Sequence, residues 1–230
     1  MTHESLKQLF DSWAESGRAD RLEQGHGDVV AQVIERMDIR AGMQTLDLGC
    51  GTGWATRILA ASAPGSGAVG VDVSPAMIKR AEELHDLTSR ARYEVSAFET
   101  LDFPDNKFER IFSMEALYYA VDLEAALAEA FRVTKPGGIA HLIVDRFQES
   151  PHTEGWADNV GLAMHWLSES DWCKALQTAG YTSVESERVL DRRGPGEESQ
   201  FTPTKHTPDW KTAQELHQAG SLYCRATKPA

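Results

Sequence analysis

The sequence predicts an α/β fold in which helices pack on a mostly parallel sheet of seven strands. From Thr45 onwards, short apolar runs alternate with stretches of helical periodicity, which is the pattern of βαβ units. The first of these units contains a strand-to-helix turn with three alternate glycines. A chain of 230 residues, of which 41% are apolar and 25% charged, suits one packed domain of this kind.

Two helices are predicted ahead of the sheet. In the first, apolar residues recur at the helical spacings i, i+3, i+4 and i+7: Leu6, Leu9, Phe10 and Trp13. The polar, glycine-containing residues 16–27 are expected to form a loop. Asp28 is the expected N-cap of the second helix, which Gly42 ends.

The βαβ units are predicted to occupy residues 44–145. Strands are expected at 44–48, 68–72, 92–95, 108–114 and 139–145, and helices at 54–63, 75–87 and 123–133. Ser74 and Pro75 are a strong start signal for the second of these helices, because an N-cap residue precedes a proline at the first helical position. Pro136, Gly137 and Gly138 are expected to end the third.

The rest of the chain is less regular. Residues 146–167 show no clear period and are predicted to form an insertion. Ser168 and Asp171 resemble a capping box ahead of a helix that runs through Ala179 and stops at Gly180. Strands are predicted at 183–190 and 221–226, with a second insertion between them at 191–217 and a helix around 209–217.

Composition disfavours several classes of protein. With 23 Lys and Arg against 35 Asp and Glu, the net charge of −12 disfavours nucleic acid as a partner. Cys50, Cys173 and Cys224 have neither disulfide nor zinc-site spacing, so a reducing cytoplasm and no metal are expected. No secretory leader and no apolar stretch long enough to span a membrane is visible. The sequence makes no prediction of an oligomeric state.

The glycine turn predicts a ligand that contains a positive charge and a ribose. Its spacing is G-x-G-x-G, and Trp54 stands where a dinucleotide-binding loop requires its third glycine. Asp47, just before the turn, would repel a pyrophosphate and attract an ammonium or sulfonium group. Asp72 ends the next strand, at the distance where a carboxylate can accept hydrogen bonds from ribose hydroxyls. S-adenosylmethionine has both features.

These residues resemble the class I S-adenosylmethionine-dependent methyltransferases, particularly small-molecule enzymes similar to those of ubiquinone and menaquinone biosynthesis. The resemblance is carried by DLGCGTG at 47–53, GVDVSPAM at 70–77, FPDNKFERIFS at 103–113 and EAFRVTKPGG at 129–138. It implies a Rossmann-like seven-stranded, mostly parallel sheet with helices on both faces and an antiparallel last strand. It also implies one methyltransferase domain over 1–230, with a helical lid at 1–42, a cofactor-binding core at 43–146 and an acceptor side at 147–230.

The resemblance also implies roles for particular residues. S-adenosylmethionine, with S-adenosylhomocysteine as its product, would be held by Asp47, Gly49, Cys50, Gly51, Gly53, Asp72, Val73, Met77, Ala97, Phe98 and Ser113. Family members usually have an acidic residue where this chain has Ser96, so the acceptor for the adenine amino group is left open between Ser96 and Glu99. The loop residues Arg18, Arg21 and His26 either meet the methionine carboxylate or are solvated.

The acceptor is expected to be a small molecule, with the methylated atom, N, O, S or C, left open. Tyr118 and His165 are the candidate catalytic residues, and Glu115 and Asp145 lie where the mouth of the sheet is expected. Candidate acceptor-binding residues are Trp13, Tyr119, Arg146, Trp156 and Trp166. The acidic residues of 94–130 either form a solvated flank or guide a cationic acceptor. The alternative function is a non-catalytic sensor of S-adenosyl ligands.

Overall fold

A computed structural model describes residues 1–19, 22–86 and 88–230 of the chain. The strands are β1 Gln44–Leu48, β2 Gly67–Asp72, β3 Ala91–Val95, β4 Phe108–Met114, β5 Thr134–Val144, β6 Thr182–Val189 and β7 Ser221–Thr227. The α-helices are α1 His3–Glu15, α2 Leu22–Arg36, α3 Trp54–Ala61, α4 Pro75–Glu83, α5 Leu123–Val133, α6 Trp156–Val160, α7 Glu169–Thr178 and α8 Trp210–Ala219.

The seven strands form one sheet in the order β3-β2-β1-β4-β5-β7-β6. The pairs β2–β3, β1–β2, β1–β4 and β4–β5 are parallel, whereas β7 runs antiparallel to both β5 and β6. The expected α/β class and antiparallel last strand are therefore confirmed. The strand order reverses between β1 and β4, and in open parallel sheets this reversal opens a crevice beyond the carboxyl ends of the strands.

Apolar clusters cover both faces of the sheet. Ile111 and Phe112 are neighbours on β4 and are fully buried in different clusters, because successive side chains of a strand point to opposite faces. One cluster contains the apolar faces of α5 and α7, and the other contains those of α2 and α3. The parallel strands are consequently buried on both sides, as the run of apolar residues in each strand predicts.

Several local predictions match the observed elements. The strands at 44–48 and 108–114 and the helix at 123–133 have the observed bounds. Ser74 caps α4, since its hydroxyl accepts a hydrogen bond from the Met77 amide at 3.0 Å. Ser168 caps α7 in the same way through the Asp171 amide, at 3.1 Å. The predicted end of α4 at residue 87 lies outside the described residues, and the helix ends at Glu83.

The prediction of a loop at 16–27 is wrong from Leu22 onwards, and so is the prediction of Asp28 as an N-cap. Helix α2 already begins at Leu22, so Asp28 lies inside it, and the helix ends at Arg36, before Gly42. The Asp28 carboxylate accepts a hydrogen bond at 2.8 Å from the guanidinium of Arg192, far along the chain. Gly25 and Gly27 suggested a loop because glycine is a poor helix former, but tertiary packing outweighs that preference.

The prediction that Pro136, Gly137 and Gly138 end a helix and lie outside β5 is also wrong. Strand β5 begins at Thr134, which pairs with Phe108 before the register shifts. The backbone of the two glycines exchanges hydrogen bonds of 2.9 Å with Lys228 near the end of the chain. This segment is an irregular strand start, where glycine tolerates the bulge.

Both insertions return to the carboxyl side of the sheet. The first, at 146–167, contains α6 and is closed by Arg146, whose guanidinium donates to the carbonyl oxygens of His165 at 2.8 Å and Glu154 at 3.0 Å. The second contains α8, which Asp209 caps through the Thr212 amide at 2.7 Å. Across 1–19, 22–86 and 88–230, no helix has the length and apolar character to cross a membrane.

Phe108→Ala should lower the free energy of unfolding by about 3–5 kcal/mol, because it leaves a cavity where β4 meets the aromatic ring of Phe103. Urea unfolding measures the difference. The matched control is Val95→Ala on the edge strand β3, where the side chain is 54% exposed and a change within about 0.5 kcal/mol is expected. A loss below 1 kcal/mol in Phe108→Ala would contradict the described packing.

Candidate functional site

A cavity of about 470 Å³ lies at the carboxyl ends of the first five strands. Residues at or directly after the end of each of these strands line it, including Gly49, Asp72, Ser96, Glu115 and Asp145. This volume is in the range of small-molecule sites, and the position is the one expected for ligands of open parallel sheets. Helix α1 forms one wall with Leu6, Phe10 and Trp13.

Each glycine of the turn between β1 and α3 has its own reason to lack a side chain. A Cβ on Gly49 would lie 2.2 Å from the Cβ of Ala116, and one on Gly53 would lie 2.4 Å from the Tyr93 ring. A Cβ on Gly51 would have no neighbour within 4 Å, although Gly51 has a φ of +52° and lines the cavity. Gly51 therefore borders open space in the cavity, while the other two make room for the protein itself.

Asp72 holds the glycine turn against the loop after β2. Its carboxylate accepts hydrogen bonds from the Gly51 amide at 3.0 Å and the Ser74 amide at 2.9 Å. Helix α1 is attached to the same loop, because the Asp11 carboxylate accepts the Ser74 hydroxyl at 2.6 Å and the Ala76 amide at 3.2 Å. The glycine turn, the loop after β2 and helix α1 are thus joined by hydrogen bonds into one connected unit.

Asp47 and Asp72 are buried carboxylates without a basic partner among the described residues. Asp47 is 2% exposed and accepts the Thr56 hydroxyl at 2.6 Å. Burial, together with the nearby charge of Asp72, raises the pKa of Asp47 to about 7. Burial likewise raises the pKa of Asp72 to about 6. Because burying an unpaired charge is costly, a cationic ligand beside these carboxylates would stabilise their ionised forms.

The structure brings most of the predicted cofactor residues together at this cavity. Those that line it are Asp47, Gly49, Cys50, Gly51, Asp72, Val73, Met77, Ala97 and Phe98. Gly53 and Ser113 are not among the lining residues: Gly53 packs against Tyr93, and the Ser113 hydroxyl donates to the Leu48 carbonyl at 2.9 Å. Burial raises the pKa of the Cys50 thiol well above its usual value, so this thiol is a packing group.

Glu99 and Ser96 have protein partners in this structure. The Glu99 carboxylate accepts hydrogen bonds from the amides of Val121 at 2.8 Å and Asp122 at 3.0 Å, and lies 2.9 Å from the His3 ring. The Ser96 hydroxyl donates to backbone carbonyls, at 3.1 Å to Ala97. Glu99 therefore anchors the beginning of α1 at the rim of the cavity.

Four of the predicted acceptor-side residues line the cavity: Trp13, Tyr118, Tyr119 and Trp156. Three aromatic rings form a continuous group, since Phe10 lies edge-on to Trp13, with centroids 5.3 Å apart, and to Tyr119 at 5.1 Å. The Tyr118 hydroxyl donates to the Glu115 carboxylate at 2.6 Å. Arg18 stacks on Trp13, with its guanidinium carbon 3.9 Å from the ring centroid.

The structure does not place His165, Trp166 and Arg146 among the residues that line the cavity. The His165 ring donates to the Ala120 carbonyl at 2.9 Å, and the Trp166 indole donates to the Thr153 hydroxyl at 3.3 Å. Arg146 holds the two ends of the first insertion together. The described hydrogen bonds of all three are to other groups of the protein and fix the insertion in place.

Two of the three basic residues predicted near the methionine carboxylate can be located at the cavity. Arg18 and His26 line the cavity, and the His26 ring lies 3.5 Å from the Asp145 carboxylate. Arg21 lies outside the described residues. Further lining residues, which the sequence pattern did not single out, come from the insertions and the last strands: Met164, Val189, His206, Thr207, Leu216 and His217. No periodicity or motif marks them, because only the tertiary fold brings them to the cavity.

Comparison with known proteins finds similarity to methyltransferases over part of this chain. Residues 46–142 match the family model described as "Methyltransferase domain". The sterol 24-C-methyltransferase of Aspergillus fumigatus is 29% identical over 172 residues, which cover 70% of this chain and 45% of the relative. The malonyl-[acyl-carrier protein] O-methyltransferase of Halorhodospira halophila is 36% identical over 135 residues, 58% of this chain and 45% of the relative. The chain thus spans less than half the length of these curated relatives.

Solved structures share the fold. A chain in the complex between the Trm112 methyltransferase activator of Haloferax volcanii and a methyltransferase has a TM-score of 0.87 and 29% identity, over 96% of this chain and 98% of that one. Phosphoethanolamine N-methyltransferase 2 of Haemonchus contortus, solved with S-adenosyl-L-methionine, has a TM-score of 0.67 and 20% identity, over 87% of this chain and 52% of that one. The second likeness is evidence for the fold alone.

Gly51→Ala and Gly53→Ala should separate ligand binding from folding. Both place a Cβ at positive φ, which costs about 1–2 kcal/mol, and Gly53→Ala adds an overlap with Tyr93 worth about 1–3 kcal/mol. Gly51→Ala should weaken S-adenosylhomocysteine binding at least about tenfold in calorimetry, because the methyl group enters the ligand's space. Unchanged affinity in Gly51→Ala would contradict close approach of a ligand at this residue.

The raised pKa of Asp47 predicts a stability that depends on pH. An unfolded aspartate has a pKa of about 3.9, so the folded chain binds more protons between about pH 4 and 7 and becomes less stable as the pH rises through that window. Asp47→Asn should therefore exceed the wild type in unfolding free energy by about 1–4 kcal/mol at pH 8, with a smaller difference at pH 5. Urea unfolding without ligand measures both, and a difference that does not vary with pH would contradict the assignment.

Proposed function

We propose that the chain is a class I S-adenosylmethionine-dependent methyltransferase and that it transfers the methyl group of S-adenosylmethionine to a small-molecule acceptor. The observation that carries this proposal is the pair of buried carboxylates, Asp47 and Asp72, on either side of a glycine turn that opens into the cavity. A sulfonium nucleoside with an amino group would supply the positive charge that this pair lacks.

The described residues suit this methyl donor. Asp72 would accept hydrogen bonds from ribose hydroxyls with the lone pairs that its two amide donors leave free. Asp47 would lie nearest the ammonium and sulfonium charges, and Gly51 would let the ligand approach the backbone. Val73, Met77 and Phe98 would border the adenine. When bound, S-adenosylmethionine supplies a methyl group that is already activated for displacement.

The protein's contribution to the reaction would be alignment and exclusion of water. Methyl transfer is an in-line displacement, so no nucleophilic triad is needed. Helix α1 and the two insertions line the cavity from both sides and would separate the reacting atoms from solvent. These contacts support the division of the chain into a lid at 1–42, a cofactor-binding core at 43–146 and an acceptor side at 147–230.

The partners and compartment are proposed on composition and on the state of the cysteines. The net charge of −12 supports a small molecule over nucleic acid as acceptor. Cys50, Cys173 and Cys224 are all unpaired, which supports a reducing compartment such as the cytoplasm. Because the Haloferax volcanii neighbour was solved in a complex with an activator, activity is best assayed with and without a Trm112-type protein.

Asp72→Ala should weaken binding of S-adenosylhomocysteine by about 1–3 kcal/mol, since charge-assisted hydrogen bonds to the ribose are lost. Calorimetry on the full chain measures the affinity. Asp102→Ala is the matched control, because Asp102 is exposed and does not line the cavity. Equal affinities in the two variants would refute the assignment of Asp72.

A label-transfer experiment on the full chain distinguishes the methyltransferase from the alternative function, a sensor of S-adenosyl ligands. Incubation with methyl-labelled S-adenosylmethionine and a small-molecule extract should move label from the donor to a low-molecular-weight product. If the donor binds but the label stays on it, with the activator present as well as absent, the sensor is favoured. If neither donor nor product binds, both functions are excluded.

A further inference from the structure

We propose that the acceptor is a protonated amine and that Glu115 takes its proton before methyl transfer. The inference rests on the proposed function, because it concerns the acceptor end of the same cavity. It depends on the carboxylates at that end, on the backbone that fixes one of them, and on the aromatic rings that continue from it.

Two carboxylates meet where β4 and β5 enter the cavity. The Glu115 side chain accepts a hydrogen bond from the backbone amide of Asp145, and both residues line the cavity. The buried Oδ1 of Asp145 has no hydrogen-bond partner among the described residues, whereas Oδ2 lies 3.5 Å from His26. Negative charge and unused acceptor capacity are therefore concentrated at one place, which suits a cationic donor of hydrogen bonds.

The backbone holds Glu115 beside the ligand turn. Residue 115 has a φ of +53°, a left-handed conformation that is uncommon for a residue with a side chain and that concentrates at functional sites. Its amide donates to the Ile143 carbonyl at 2.9 Å, and the next residue, Ala116, packs directly on Gly49. Glu115 is thus held close to the glycine turn at 49–53, because its neighbour in sequence, Ala116, packs on that turn.

The basic side chains near this end do not neutralise the two carboxylates fully. Arg18 is stacked on Trp13, and Arg146, which donates to two backbone carbonyls, does not line the cavity. His26 contacts Asp145 and not Glu115. Burial and the charge of Asp145 raise the pKa of Glu115 well above its usual value, so its ionised form needs a positive neighbour. An ammonium group beside Glu115 would supply that charge, and the ionised carboxylate would be a stronger base than a free glutamate.

Aromatic rings extend the site away from Glu115. Tyr118 donates its hydroxyl to Glu115, and its ring centroid lies 4.7 Å from that of Tyr119, which contacts Phe10 and through it Trp13. Aromatic faces attract cations and bury apolar surface. The combination favours an amine carried on an apolar body over a carboxylate or phosphate, which Glu115 and Asp145 would repel.

The proposed step conserves atoms and charge. A proton passes from the ammonium to a Glu115 carboxylate oxygen, which leaves a lone pair on nitrogen. The lone pair forms the nitrogen–carbon bond as the methyl carbon–sulfur bond breaks and its electrons stay on sulfur. The products are a methylated ammonium, a neutral thioether and a protonated Glu115, whose proton then returns to solvent.

Three probes that share a 2-phenylethyl group test the charge preference: 2-phenylethylamine, 2-phenylethanol and 3-phenylpropanoate. Calorimetry on the full chain saturated with S-adenosylhomocysteine should find that the amine binds at least about tenfold more tightly than the alcohol, and the anion least tightly. Glu115→Gln and Asp145→Asn should each reduce this preference and leave the affinity for S-adenosylhomocysteine within about twofold. Glu124→Gln, on the exposed face of α5, is the control and should match the wild type.

Methyl transfer from labelled donor to 2-phenylethylamine tests the proton step. Glu115→Gln should lower the rate at least about tenfold at pH 7, where almost all of the amine is protonated. The deficit should shrink at pH 10, where about a quarter of the amine is already neutral because an alkylammonium has a pKa of about 10.4. A wild type that prefers the alcohol or anion, that binds none of the probes, or that transfers no label to the amine overturns the inference. Failure to bind S-adenosylhomocysteine would instead overturn the proposed function itself.

Discussion

The structure depends on two carboxylates that are buried without positive partners among the described residues. Asp47 and Asp72 lie at the carboxyl ends of neighbouring parallel strands, and the sheet brings them to the same edge on either side of a glycine turn. A chain that only had to fold would gain stability by replacing them with apolar groups. Their retention in a cavity is explained when a cationic ligand balances their charge, so an energetic cost in the free protein becomes affinity in the complex.

The remaining walls of the cavity are fixed by bonds between segments distant in sequence. Asp11 on α1 accepts hydrogen bonds from the loop that follows Asp72, which connects the proposed lid to the ribose end. Asp28 on α2 pairs with Arg192 at the start of the second insertion. The Glu99 carboxylate accepts hydrogen bonds from two backbone amides and contacts the His3 ring.

Local patterns predicted the core well and the acceptor side poorly. The strand ending at Leu48, the Ser74 cap and the glycine turn are encoded within a few residues, so their positions followed from the sequence. The start of α2 did not, because its glycines argue locally for a loop while packing against α3 makes a helix. His165 and Trp166 are candidates by residue type, but the structure pairs them with Ala120 and Thr153 and does not place them among the residues that line the cavity.

A crystal structure of the full chain with S-adenosylhomocysteine tests the central claim most directly. The ribose hydroxyls should lie within hydrogen-bond distance of the Asp72 carboxylate, with the amino group toward Asp47 and the sulfur toward Glu115. A ligand bound at another surface, or one whose ribose is remote from Asp72, would contradict the account.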